Sequence, residues 1–241
     1  MTNNSLSAEW ASHVFAHGPL KQLASHTWLI TGRLPKGNLP RNMMVHCYRP
    51  GRLLIHSPIA VQESVLAEIL SLGQIDIVIV PNAFHRLDGG VFKARFPDAT
   101  LICPQASLGK VTQKMAVDAT CEEHLPKVGI TFHIPAGIKA SELVYEFNNA
   151  GTRVLAMSDL LFNLPHLPGL DGTLFRLLGS SGFFGMTRIG KWLLLKDKAN
   201  FQRFLRQLAQ IPNLKVLCVA HGDPIQTDAD QALLAAAARL G

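Results

Sequence analysis

The chain has 241 residues, 48% apolar and 17% charged, with a net charge of +6. That balance excludes a disordered or low-complexity polymer and leaves room for one large core or two small ones. The basic residues are scattered and do not interleave with aromatics, so no nucleic-acid partner is expected and the excess charge points to acidic partners.

The four cysteines, Cys47, Cys103, Cys121 and Cys218, are far apart and form no CxxC pair. A zinc knuckle or a disulfide framework is therefore not expected, and Cys103 and Cys218 read as small core residues. The N-terminal MTNNSLSAEWASHVF lacks the charged and apolar regions of a signal peptide. No apolar stretch reaches the about 18 residues of a bilayer span. A cytoplasmic, reduced setting is the expectation.

In chain order, 27–31, 43–48 and 53–56 read as short strands, with Arg49-Pro50-Gly51-Arg52 as a hairpin turn. Residues 62–72 read as a helix with Val65, Leu66, Ile69 and Leu70 on one stripe and Gly73 as its stop. The run 75–80 is rich in β-branched residues without polar alternation, which predicts a strand buried on both faces. A short helix at 90–96 and a strand at 101–103 follow. Residues 105–128 read as a short helix and loop. Strands are predicted at 130–133, 142–147 and 153–158, the last two joined by an Asn148-Asn149-Ala150-Gly151 turn.

Residues 163–192 hold Pro165, Pro168 and six glycines among Leu and Phe, the pattern either of a mobile or lid-like insertion or of a surface excursion that packs on its own domain. An amphipathic helix is predicted at 200–210, a buried strand at 216–220, and a last helix starting near Thr227 with Thr227 and Asp230 as a capping pair. No linker or repeat divides the chain, which favours a single α/β domain.

The strand 75–80 leads into Pro81-Asn82-Ala83-Phe84-His85-Arg86-Leu87-Asp88-Gly89-Gly90. Three other segments match it in order: GRLLIHSP (51–58), RVLAMSDLLFN (153–163) and KVLCVAHGDPI (215–225). Together they resemble the metallo-β-lactamase superfamily, and Ser57-Pro58 with Pro81-Asn82-x-x-His85 resembles a divergent branch of it. The resemblance implies a four-layer αββα sandwich over residues 1–241, with the Gly-rich insertion at about 163–192.

The resemblance also implies a metal site, but its HxHxDH motif is degraded here. With the Gly pair aligned, Asn82, Phe84, Arg86 and Leu87 stand at the ligand positions, and Ile138 stands where a further His is expected. Asp159 and His221 match the bridging carboxylate and the terminal His. His85 lies one residue from an aligned ligand position. His85, Asp159 and His221 are thus the candidate catalytic and metal-ligating residues, with Asp88 or His56 as a possible fourth donor. Asn82, Arg86, Asp88 and His56 are the candidate ligand-binding residues. Zinc sites of this kind need three or four converging N or O donors at about 2.0–2.2 Å.

Two functions stay open at this point. One is a metal-free or metal-poor descendant that binds a small molecule, anionic ones included, which the missing ligands favour. The other is a hydrolase of a small ester, thioester, lactone or phosphoester that uses a single divalent metal, zinc or iron. Gly185-Met186-Thr187-Arg188-Ile189-Gly190-Lys191-Trp192 follows a phosphate-loop pattern except that Trp192 stands where Ser or Thr must hold Mg²⁺. Gly179-Ser180-Ser181-Gly182 is one residue short of a GxSxG elbow. His133 and His166 read as solvated or satisfied side chains.

Overall fold

A computed structural model describes residues 3–149 and 151–241. Helix α1 (Asn3–Ser12) precedes strands β1 (Lys21–Ala24), β2 (Thr27–Arg33), β3 (Pro40–Arg49) and β4 (Arg52–His56). Helix α2 (Glu63–Leu72), β5 (Gln74–Ile79), α3 (Gly89–Arg95) and β6 (Thr100–Cys103) follow. The region read as helix and loop holds two 3₁₀ turns, α4 (Leu108–Val111), β7 (Ala119–Thr120) and α5 (Cys121–His124). Then come β8 (Thr131–His133), β9 (Val144–Asn149), β10 (Thr152–Ala156), α6 (Gly169–Leu177), α7 (Arg188–Leu194), α8 (Lys198–Ala209), β11 (Leu214–Cys218) and α9 (Ala229–Ala238).

The strands form two mixed sheets. The larger runs β1 to β7 in sequence order, antiparallel as far as β4 and parallel from β4 to β7. The smaller runs β11-β10-β9-β8, with only β10–β11 parallel. The β3–β4 turn has Gly51 at φ 71°, where a residue without Cβ is favoured. In the β9–β10 turn Ala150 lies outside the described residues, but the pairing Thr152 to Asn149 on either side is antiparallel.

Side-chain direction decides the layers, alternating along β4, while a register shift opposite Leu53/Leu54 breaks the alternation in β5 between Ile75 and Ile77. In β4, Leu53 and Ile55 face α1–α3, whereas Leu54 faces the other sheet. In β5, Ile75 and Val78 face the helices, and Ile77 and Ile79 face the other sheet, so the strand is buried on both sides as its composition predicts. Tyr145, Phe147, Val154 and Val216 of the smaller sheet complete the layer between the sheets. Its outer face, with Val144, Leu155 and Leu217, packs on Phe201, Phe204, Leu205 and Leu208 of α8 and on Leu233 of α9. The result is an αββα sandwich.

One element was not read in the sequence and one differs from expectation. Helix α1 carries Trp10, which is 1% exposed, packs on the rings of Phe92 and Phe96, and donates its indole N–H to the Val61 carbonyl (2.8 Å). α9 starts at Ala229 after Asp228 in a left-handed conformation (φ 51°), with no side-chain cap, so the Thr227–Asp230 capping pair does not form. The 163–192 segment contains α6 and the start of α7. Its Met186 is buried in the core with α8, while much of α6 stays exposed.

Candidate functional site

Three strand ends supply the site. β5 leads into the loop that carries Asn82 and His85. β10 leads to Asp159 and β11 to His221. Because β10 and β11 are parallel neighbours, Asp159 and His221 leave the sheet on the same edge. Asn42 of β3 ties that edge to the larger sheet: its amide donates to the carbonyls of Val219 (2.8 Å) and Gly222 (2.7 Å).

His85, Asp159 and His221 converge there. Nε2 of His85 and Nε2 of His221 each lie 3.3 Å from Oδ1 of Asp159, and the three donor atoms lie within 4.8 Å of one another. Among the described residues this is the one cluster of His, Cys, Asp and Glu with metal-site spacing. Burial works to raise the Asp159 carboxyl, but the rings of His85 and His221 outweigh it and hold the group well below the usual carboxylate range.

Each ligand atom is oriented from behind. Nδ1 of His221 lies 2.7 Å from the Pro40 carbonyl, which can only accept, so Nδ1 carries the proton. In the neutral ring Nε2 then points a lone pair at a carboxylate oxygen. Only a second proton or a cation between them makes that approach favourable. A histidine whose far nitrogen donates to a backbone carbonyl is also the usual arrangement behind a metal ion. Nδ1 of His85 meets the Ser57 hydroxyl at 2.9 Å. Ser57 holds φ 58°, a conformation uncommon for a residue with Cβ, and it is this turn after β4 that carries the hydroxyl to His85.

Asn82 and Glu142 lock the loops. The Asn82 side-chain oxygen Oδ1 accepts from the backbone N–H groups of Phe84 (2.8 Å) and His85 (3.2 Å). Its amide donates to Oδ2 of Asp159 (2.8 Å) and to Oε2 of Glu142 (3.0 Å). Glu142, 3% exposed, accepts in addition from the backbone N–H groups of Asp159 (2.8 Å) and Leu160 (2.7 Å). Burial, reinforced by the Asp159 charge, pushes the Glu142 carboxyl up to about 8. Neither Ser57 nor Glu142 stood among the candidate site residues. The Ser57-Pro58 pair was visible as a motif, whereas nothing in the local sequence marks Glu142.

The remaining sequence candidates lie elsewhere. Asp88 is fully buried in a separate network with Arg41 (2.6 Å), His13 (3.0 Å) and the Ala60 N–H (3.1 Å). Arg86 turns away from the cluster and donates to the Lys110 carbonyl (2.6 Å). His56 sits between the sheets against the Tyr145 ring (5.0 Å), where burial pushes it down to about 3. Asn82, by contrast, lies in the cluster itself.

A cavity of about 530 Å³ opens beside Asn82, Asp159 and His221. Phe84, Phe162 and Leu193 supply apolar wall, and Lys110 and Lys139 stand at its margin.

The three donors fit one ion. Tetrahedral bonds of about 2.0–2.1 Å place ligand atoms about 3.4 Å apart, close to the two 3.3 Å separations seen here. The cavity side leaves room for a further ligand.

No protein-family model matches the sequence, and no curated protein matches it. Solved structures do. The DIM-1 metallo-β-lactamase exposed to ceftazidime superposes with a TM-score of 0.61 at 14% identity, over 94% of this chain and 100% of that one. The mono-zinc form of the FIM-1 metallo-β-lactamase from Pseudomonas aeruginosa gives 0.60 at 12% identity, over 94% and 97%. A metallo-β-lactamase from Erythrobacter litoralis gives 0.58 at 15%, over 91% and 96%. At these identities the likeness is one of architecture: the chain has the metallo-β-lactamase fold.

Proposed function

We propose that the cleft is a mononuclear metal-dependent hydrolase site, with His85, Asp159 and His221 holding one divalent ion, zinc or iron. One observation carries this reading: two histidine nitrogens, one of them with its proton assigned to the opposite side of the ring, aim at a single carboxylate oxygen. When bound, such an ion supplies Lewis acidity and lowers the pKa of water. The chain's own residues do the rest. Asn82 and Glu142 fix the Asp159 loop, the apolar wall excludes water, and Lys110 and Lys139 attract an anionic group on a small ester, thioester, lactone or phosphoester. Arg86 does not serve that role, since its side chain is held by the Lys110 carbonyl and does not line the cleft. The reading takes the HxHxDH positions, here Asn82, Phe84, Arg86 and Leu87, as degraded. The mono-zinc FIM-1 structure supports it, because a similar fold holds one ion.

A second reading has its own support. The Asn82 amide already occupies Oδ2 of Asp159, as expected in a metal-free protein that binds a small molecule through the same cleft. Metal analysis by mass spectrometry of protein purified without chelator separates the two. The hydrolase reading expects about one equivalent of zinc or iron, lost in Asp159→Ala. Metal at only a few hundredths of an equivalent after zinc and iron loading leaves the binding protein.

A further inference from the structure

Apolar side chains on α6 and α7 face solvent. Twelve large apolar residues are exposed among the described residues, and seven of them fall between Leu170 and Leu193. Scattered exposed leucines need no explanation, but a concentration in two neighbouring helices does. On α6, Leu170, Leu174 and Leu177 follow i, i+4, i+7 and share one face, with Leu170 91% and Leu177 72% exposed. On α7, Ile189, Trp192 and Leu193 follow i, i+3, i+4, with Trp192 83% exposed.

The two faces adjoin. A Cβ on Gly179, just past α6, would lie 2.7 Å from the Arg188 side chain at the start of α7. Leu39 lines one hollow with Leu174 and the main cleft with Ile189 and Leu193. Gly172 explains how α6 is seated: a Cβ there would lie 1.7 Å from the Leu167 carbonyl oxygen, so the helix folds tightly back on its approach.

Charge decides what covers this face. From 169 to 198 the chain carries five basic residues, Arg176, Arg188, Lys191, Lys196 and Lys198, against Asp171 and Asp197. Asp197 is engaged in capping α8 through the Asn200 N–H (3.0 Å). None of the five basic side chains is in an ion pair with a described residue. A second copy of a +6 chain would meet this face with like charge. Leucines and an exposed indole on a segment with an excess of Lys and Arg, of which Lys191 bonds only to the Arg239 carbonyl among the described residues, are what an interfacial helix presents to anionic headgroups. No helix among the described residues is long and apolar enough to cross a membrane.

We propose that the α6–α7 face docks on the surface of an anionic lipid bilayer, with the cleft mouth beside Ile189 and Leu193 at the lipid boundary. The inference is independent of metal in the cleft.

The test is flotation of the full chain with vesicles of phosphatidylcholine alone and of phosphatidylcholine mixed equally with phosphatidylglycerol. Binding is expected on the anionic vesicles, weakened by about tenfold or more in half-molar salt. Trp192 emission should shift to the blue, a change absent in Trp192→Phe. Leu170→Asp/Leu177→Asp/Trp192→Asp should lose at least about tenfold in binding with an unchanged melting temperature, since all three side chains are exposed. No binding to anionic vesicles, or equal binding by the triple variant, overturns the proposal. Light scattering that shows a dimer abolished by the triple variant gives the face to a second copy. Capture of poly-aspartate without vesicle binding gives it to an acidic polypeptide.

Discussion

Glu142 shows how one side chain can hold a site without facing a ligand. Its two oxygens take the N–H groups of Asp159, Leu160 and Asn82, and so set where the Asp159 carboxylate points. Glu142→Ala leaves these buried donors unpaired, each at about 1–3 kcal/mol. We expect a stability loss of roughly 2–4 kcal/mol by urea unfolding in chelator. In the same variant, zinc affinity measured against a competing chelator should fall by at least about tenfold. Unchanged zinc affinity would remove Glu142 from the positioning of Asp159. The residue was not legible in sequence because its role depends on partners 17 and 60 positions away, which only the folded chain brings together. Asp159 and His221 were legible because each ends a strand whose apolar run is itself readable. Arg86, Asp88 and His56 fall outside the cluster for the converse reason. A side chain's position in a motif does not say which way its loop turns it, and Arg41 and Tyr145 had equal claim on their company.

At the scale of elements, the strand interiors were readable from β-branched runs and helix α8 from its stripe, while in α2 Leu66 and Ile69 are buried as read but Leu70 is exposed. The joins between elements were not, because they rest on backbone contacts that composition does not encode. The contact between the β10 and β11 loops is the clearest case. Asn163 and Gly222 form a parallel bridge, with Asn163 N–H donating to the His221 carbonyl (3.1 Å) and Asp223 N–H to the Asn163 carbonyl (3.0 Å). Gly222 has φ 105°, and a Cβ there would lie 2.0 Å from the Asn163 oxygen. Gly222→Ala must therefore part the two loops and move His221 away from Asp159. The expected outcome is a stability loss of about 1–3 kcal/mol and a loss of measurable zinc binding by isothermal titration. Gly151 makes the control: its φ is 90°, but nothing lies within 4 Å of the added Cβ, so Gly151→Ala should carry backbone strain and keep zinc binding. If both variants bind zinc alike, the bridge does not set the site.

Across the whole molecule, the space between the sheets holds two histidines in an otherwise apolar layer. His46 packs on the Phe147 ring (4.5 Å) and pairs with the Thr27 hydroxyl (2.9 Å), while His56 packs on Tyr145 and its Nε2 meets no hydrogen-bond partner among the described residues. Burial pushes His46 down to about 4 and His56 down to about 3. Both values lie below the ordinary 6.5, so the unfolded chain takes up protons that the folded chain refuses. Their contribution to stability is therefore complete above pH 6.5 and is lost as pH falls below it, down to the folded values. Each should contribute a slope of about 1.4 kcal/mol per pH unit in that window. Glu142 acts with the opposite sign. Its folded value is raised to about 8, so between pH 8 and its ordinary 4.5 the folded state holds the extra proton, and acidification stabilises through it. Glu142 offsets part of the loss through His46 and His56, and His124, also held below its ordinary value by burial, adds to it, so acidification from pH 6.5 to 4.5 should lower stability. Urea unfolding in chelator across that range measures it. His56→Leu, which removes the buried ring nitrogen, should weaken the dependence. His46→Gln added to it should weaken it further. A slope that neither substitution reduces would place the acid sensitivity of this fold outside the layer between its sheets.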